Sequence, residues 1–276
     1  MTASAPGACS AAQMAPPYLR LRQIALVARV LEPVERQLTA ALATEVCYRD
    51  PGVGKYGLHN ALWALGGTFL EVVAPIRDGT AAGRYLDRRG GDGGYMYIVD
   101  CEDLAARREQ LAALGLRRVE DVRAGDAAVW SEAIHVHPRD TGGCLLSLDR
   151  HSGGPDMMGS YLWAGPDWQS KVRRDVVISG AVMQCEDPVA TAERWARLLA
   201  RPVAASVDGG HELQLDNAVA RFVPLADDRG EGLARVMLSC ADPAATMTAA
   251  AAGGAPVGSR WFDICGVRFE LEQRRA

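Results

Sequence analysis

A glutamate set among apolar residues is the first place in this chain where chemistry is legible. In Phe69-Leu70-Glu71-Val72-Val73 the two-residue period of a strand puts Phe69, Glu71 and Val73 on one face and Leu70 and Val72 on the other. A carboxylate flanked this way is expensive to bury, so it needs a metal, an arginine or a tyrosine hydroxyl as partner, or a raised pKa. A second candidate is Ile134-His135-Val136-His137-Pro138. Two imidazoles two residues apart in a strand share a face, within reach of one metal ion or one substrate proton, and they suit a solvent-facing pair equally well. Tyr95 and Tyr97 are spaced in the same way and offer hydroxyls for acid/base work, or simply two tethered core tyrosines. His59 and Asn60, in Gly57-Leu58-His59-Asn60, are weaker candidates, Asn60 for orienting a neighbouring strand. The Gly90–Gly94 run lacks the Lys-Ser/Thr and helix start of a phosphate loop and reads as a crossover.

Four repeated segments must position these residues. Each runs from a short apolar strand through an acidic turn into an amphipathic stretch, at 25–43, 97–115, 182–200 and 236–254. Glu32, Asp103, Asp187 and Asp242 stand where a helix N-cap or first-turn acid belongs, and Pro33, Pro188 and Pro243 follow, where a missing N–H costs little. Gly-punctuated apolar stretches come next, ending in strong strands at 68–74, 144–149, 219–225 and 266–272. The pattern is strand, helix and about three strands, four times over. Residues 1–19 read as a disordered leader and 20–151 and 173–276 as two domains. The Gly- and Pro-rich segment 152–172 between them reads as a linker, whose Trp163 and Trp168 are too apolar for a free tether and are expected to staple it down.

Composition narrows the function. The chain has 276 residues and a net charge of −4 from 30 basic and 34 acidic side chains, without the basic excess of a nucleic-acid binder. No apolar run reaches the length of a membrane span, and the uncharged first residues do not read as a secretory signal. Seven cysteines, dispersed and without a C-x-x-C pair, point to reduced thiols and a cytoplasmic protein.

Four strand–helix–strand units paired two and two resemble the vicinal oxygen chelate superfamily, which includes glyoxalase I, bleomycin- and fosfomycin-resistance proteins, methylmalonyl-CoA epimerase and extradiol dioxygenases. The likeness to glyoxalase-like proteins rests on Arg22–Ala28, Gly57–Pro75 and Gly90–Leu104. It implies an α+β fold of four βαβββ modules, paired into two U-shaped open-barrel sheets with helices outside, and a divalent metal on the concave face. By the same resemblance Gln23, otherwise an ordinary strand-edge polar residue, and Glu71 match ligand positions. Gln23 would be a neutral oxygen donor for Fe, Mn, Ni, Zn or Mg. The second module departs from the pattern. Gly94, Tyr95 and Met96 stand where a histidine is usual, and Ser147 where a closing carboxylate is usual, with Asp149 two residues on. His135 and His137 are the candidate replacements.

In the second half Arg221 and Glu270 occupy the ligand positions and are expected to form an ion pair, with Ser179 or Gly180 where histidine would stand, and His211 and Gln214 nearby. That half reads as a structural, covering or dimer-forming copy. The resemblance implies a metal-dependent lyase, isomerase or, least favoured, ring-cleaving oxygenase, in which Glu71, Tyr95 and Tyr97 act on a small oxygenated molecule. The alternatives are a metal-free binding protein, with a pocket lined by Tyr95, Tyr97, Trp63 and Trp130, and a non-catalytic interaction protein. A monomer and a homodimer are equally admissible.

Overall fold

The computed structural model describes residues 17–142, 144–206 and 209–274, so residues 1–16 of the expected leader, with Cys9, lie outside it. The first unit comprises β1 (Leu19–Val27), α1 (Leu31–Leu42), β2 (Leu58–Leu65) and β3 (Thr68–Pro75). Helix α2 (Ala81–Arg89) leads to the second unit: β4 (Gly93–Cys101), α3 (Leu104–Ala113), β5 (Arg118–Gly125), β6 (Trp130–Val136), the single turn α4 (Pro138–Thr141) and β7 (Leu145–His151). The third holds β8 (Val176–Cys185), α5 (Pro188–Leu199), β9 (Val203–Ala205), β10 (His211–Gln214) and β11 (Val219–Pro224). The fourth holds β12 (Gly232–Cys240), α6 (Pro243–Ala252), β13 (Trp261–Ile264) and β14 (Val267–Gln273).

The strands form two curled seven-stranded sheets, ordered β2-β3-β1-β4-β7-β6-β5 and β13-β14-β12-β8-β11-β10-β9. Within each unit the first strand pairs parallel with the last, and the two units of a sheet join antiparallel through their first strands. The fold class read from the sequence is therefore the one observed, with one difference in count. The inner units have three strands after the helix, while the outer units have two and a lone bridge in place of the third, Tyr48 to Leu62 and Val257 to Phe262.

The acids expected at the helix starts are all there, three as N-caps and Glu32 in the first turn of α1. Asp103, Asp187 and Asp242 accept from the backbone N–H groups of Ala106, Ala190 and Ala245, filling donors that have no intrahelical partner. Helix α1 differs, because its N-cap is Val30 with no side-chain cap, and Glu32 and Pro33 lie inside its first turn.

Helices and convex sheet faces share one buried cluster that runs through both halves. Helix α1 packs against α6. Trp195 of α5 meets Tyr97 of β4 edge to face at 5.5 Å and Phe222 of β11 at 5.4 Å, and its ring N–H donates to the Thr141 carbonyl at 2.8 Å. The sheets thus stand back to back, and where β4 meets β12 the backbones touch. A Cβ on Gly94 would lie 2.4 Å from the Leu233 carbonyl oxygen, which is why that position of the glycine run tolerates no side chain. Trp195 is fully buried between the halves, so Trp195→Ala should cost about 3–5 kcal/mol. Urea unfolding followed by fluorescence and by far-UV circular dichroism should show it as one coincident transition, since both halves share the core.

Candidate functional site

Glu71 lies near the middle of β3 with its side chain on the concave face of the first sheet, where it is only 7% exposed. Neutral donors hold both carboxyl oxygens: Asn60 Nδ2 at 2.6 Å from Oε1 and Gln23 Nε2 at 2.8 Å from Oε2. Asn60 is fixed in turn, because its Oδ1 accepts from the Asp50 backbone N–H at 2.8 Å. Gln23 is fixed by Tyr161, whose hydroxyl donates to Oε1 at 2.7 Å. Among the described residues no cation touches the carboxyl. Burial therefore dominates and pushes its pKa up to about 7, against the pull of the Asn60 and Gln23 hydrogen bonds and with a smaller push from Asp50.

A second carboxyl faces the same cavity. Asp149, on β7, accepts from the Ser147 hydroxyl, with Trp163 beside it, and burial pushes it up to about 8. Tyr161 and Trp163 belong to the segment expected to be a linker. It is a strap laid across the first sheet. Tyr161 and Trp168 are almost fully buried and pack on Phe69, with ring centroids 4.6 and 4.9 Å away. Arg22 pins the strap from beneath: its guanidinium donates to the carbonyls of Gly67 and Met157, both at 2.8 Å, and lies 4.8 Å from the Tyr161 ring centroid.

Below the strap is a cavity of about 410 Å³, within the range of small-molecule sites. Gln23, Glu71, Asp149 and Tyr161 form its polar end, and Val73, Met96, Ile98 and Leu145 are among its apolar walls. At the mouth, Lys55 reaches 2.9 Å across to Glu120 of β5 and closes one rim of the curled sheet onto the other.

The residues singled out in the sequence divide. Gln23, Asn60, Glu71, Tyr95 and His135 come together at the cavity or in direct contact with its polar end, and Ser147 supports Asp149. Tyr97 does not share Tyr95's face. Pairing of β1 with β4 steps from Ala25–Met96 to Leu26–Gly94, so Tyr95 is the extra residue of a bulge and the alternation resets there. Tyr97 points to the convex side, fully buried against Trp195, with its hydroxyl 3.4 Å from the Val219 carbonyl. Trp63 is likewise on the helix side and donates to Thr39 Oγ1 at 3.1 Å, and His59 lies on that same face of β2. Trp130 is at the far hairpin, flanked by the guanidiniums of Arg123 and Arg150. His135 and His137 do not share a strand face either. Strand β6 ends at Val136, and His137 caps α4, its Nδ1 accepting from the Arg139 backbone N–H. Burial pushes His135 down to about 4, so its imidazole is neutral at physiological pH.

These positions do not make a ligand set for a divalent metal. The Gln23 oxygen and both Glu71 oxygens are already bonded, His137 is elsewhere, and among the described residues no three His, Cys, Asp or Glu side chains converge as metal ligands. In the second half Arg221 and Glu270 are not bonded to each other. Arg221 pairs with Glu212 and Glu270 with Arg235, each on an adjacent strand. Sequence reasoning missed Tyr161 altogether. Its one signal is an aromatic run, Tyr161-Leu162-Trp163, inside a stretch of turn residues.

The fold is that of a glyoxalase-like domain. Residues 24–199 match that family, and the chain belongs to it. It is similar to an ethylmalonyl-CoA/methylmalonyl-CoA epimerase of Cereibacter sphaeroides, 24% identical over 131 residues that span 48% of this chain and 97% of that protein. The crystal structure of a hypothetical protein from Staphylococcus aureus superposes with a TM-score of 0.64 at 12% identity, covering 92% of this chain and 99% of that one. A methylmalonyl-CoA epimerase from Mycobacterium tuberculosis gives a TM-score of 0.43 at 22% identity, over 50% of this chain and 93% of that one.

The raised carboxyls tie stability to pH. Glu71 and Asp149 hold their protons up to about 7 and 8 in the folded chain, against ordinary values of 4.5 and 3.8. Between those limits the folded state binds more protons than the unfolded one, so stability falls as pH rises, by up to about 1.4 kcal/mol per group and pH unit. Glu71→Gln should remove the Glu71 share of this slope between pH 5 and 7, as measured by urea unfolding across that range.

Proposed function

We propose that this protein is an enzyme that moves a proton at the carbon next to a carbonyl group of a small organic substrate, with Glu71 as the base. The observation that carries this reading is a carboxyl buried at the polar end of a ligand-sized cavity, held by two neutral amides and no cation, with its pKa near neutrality. A base tuned in this way is partly ionised at physiological pH and still basic enough to take a weakly acidic proton. Asp149, protonated at neutral pH, supplies the complementary acid.

The step balances within the cavity. Glu71 takes the proton from carbon, the C–H electron pair becomes the double bond of an enol, and the carbonyl oxygen receives the Asp149 proton. Reversal returns a proton to carbon and regenerates both carboxyls, which in D₂O exchanges the α-hydrogen; a net epimerisation or isomerisation results where the proton returns to the other face or to another carbon of the enol. Asn60 and Gln23 aim the Glu71 oxygens, and Tyr161 fixes the Gln23 amide that does so. The curated relative's name supports the same chemical class, since an epimerase removes and restores a proton at one carbon.

The test is hydrogen–deuterium exchange at the α-carbon of neutral ketones and acyl thioesters in D₂O, followed by proton NMR. The wild type should catalyse exchange and Glu71→Gln should lose it by about 10²–10⁴-fold. The rate should rise through pH 7 as Glu71 ionises and fall above pH 8 as Asp149 does. Exchange unaffected by Glu71→Gln would overturn the reading.

A further inference from the structure

We infer that the cavity selects an uncharged, mainly apolar carbonyl compound and rejects anions of the same size. The inference deepens the proton-transfer reading and rests on it for the carbonyl, while the charge selection stands on the cavity itself. Its facing acids are Asp50, Glu71, Glu120 and Asp149. Among the described lining residues Lys55 is the one Lys or Arg, and it is already bonded to Glu120 at 2.9 Å. The buried guanidiniums of Arg20 and Arg22 do not line the cavity. Arg20 is bonded to Asp100 at 2.7 Å and to the Gly154 and Pro155 carbonyls, and Arg22 to the Gly67 and Met157 carbonyls. A carboxylate or phosphate in the cavity would therefore sit against carboxyls with no free countercharge, a juxtaposition that strongly disfavours binding.

A cation fares little better. Both Glu71 oxygens already accept amide protons, and Asp149 accepts from Ser147. An ammonium would have to displace these donors while losing its water to walls such as Val73, Met96, Ile98 and Leu145. An uncharged molecule meets neither cost. Its apolar body lies along those walls, and one oxygen finds hydrogen-bonding groups at the polar end.

Three probes of nearly equal size separate the cases: propiophenone, hydrocinnamate and phenylpropylamine, titrated into the full chain at pH 7 by calorimetry and by saturation-transfer NMR. Propiophenone is expected to bind at least tenfold more tightly than either charged probe. Equal or tighter binding of hydrocinnamate, tighter binding of phenylpropylamine, or no binding of propiophenone at millimolar concentration overturns the inference. Exchange of the propiophenone α-protons, read in the same NMR samples in D₂O, keeps the two readings apart. Selective binding without exchange would leave the selectivity standing and remove the proton-transfer reading, whereas exchange with no preference over hydrocinnamate would do the reverse.

Discussion

An open, curled sheet has two faces with opposite needs, and this structure depends on how those needs are met. The convex faces are apolar and must be covered, which a single sheet and its few helices do incompletely. Placing two sheets back to back, with Trp195 wedged between Tyr97 and Phe222, buries both at once in a continuous cluster. The concave face of the first sheet is thereby left to enclose a cavity. There the polar groups Gln23, Asn60, Glu71 and Asp149 are each satisfied by a neighbour, and the ion pair of Lys55 with Glu120 stays at the mouth.

The electrostatics of the site follow from what is absent around Glu71. Asp100, also buried, is bonded to Arg20, and Glu120 at the mouth has Lys55. Glu71 and Asp149 have only neutral donors. Hydrogen bonds without a countercharge orient a carboxyl but do not repay its desolvation, so it keeps its proton to higher pH. Position and proton affinity thus have separate causes: the amides set the first and burial the second.

Much of this was readable in the sequence, and the failures have definite physical origins. The four-unit repeat, the three capping aspartates and the face of β3 that carries Glu71 all follow from local periodicity and helix-end chemistry. Periodicity fails where a strand bulges. The extra residue at Tyr95 turns Tyr97 to the opposite side, and nothing in the local pattern marks a one-residue change of register. His137 carried a legible warning, since Pro138 after it suits the first position of a helix better than the interior of a strand. Helix α2 also carried signals, Thr80 as its N-cap and Gly90 beyond its end. Tyr161 could not be found by spacing at all. It reaches Gln23 across 138 positions of chain, a contact that only the folded strap creates.

That strap makes the polar end of the cavity a product of tertiary assembly. Its near end leaves β7 of the first sheet and its far end enters β8 of the second, with Arg173 bridged to Leu65 on the way. The tether between the halves is therefore also the ceiling of the cavity. A first sheet without the strap laid on it would leave Gln23 without Tyr161 and Glu71 open to water. The carboxyl would then titrate as an ordinary surface acid. Its proton affinity is thus acquired only when the strap closes over the sheet.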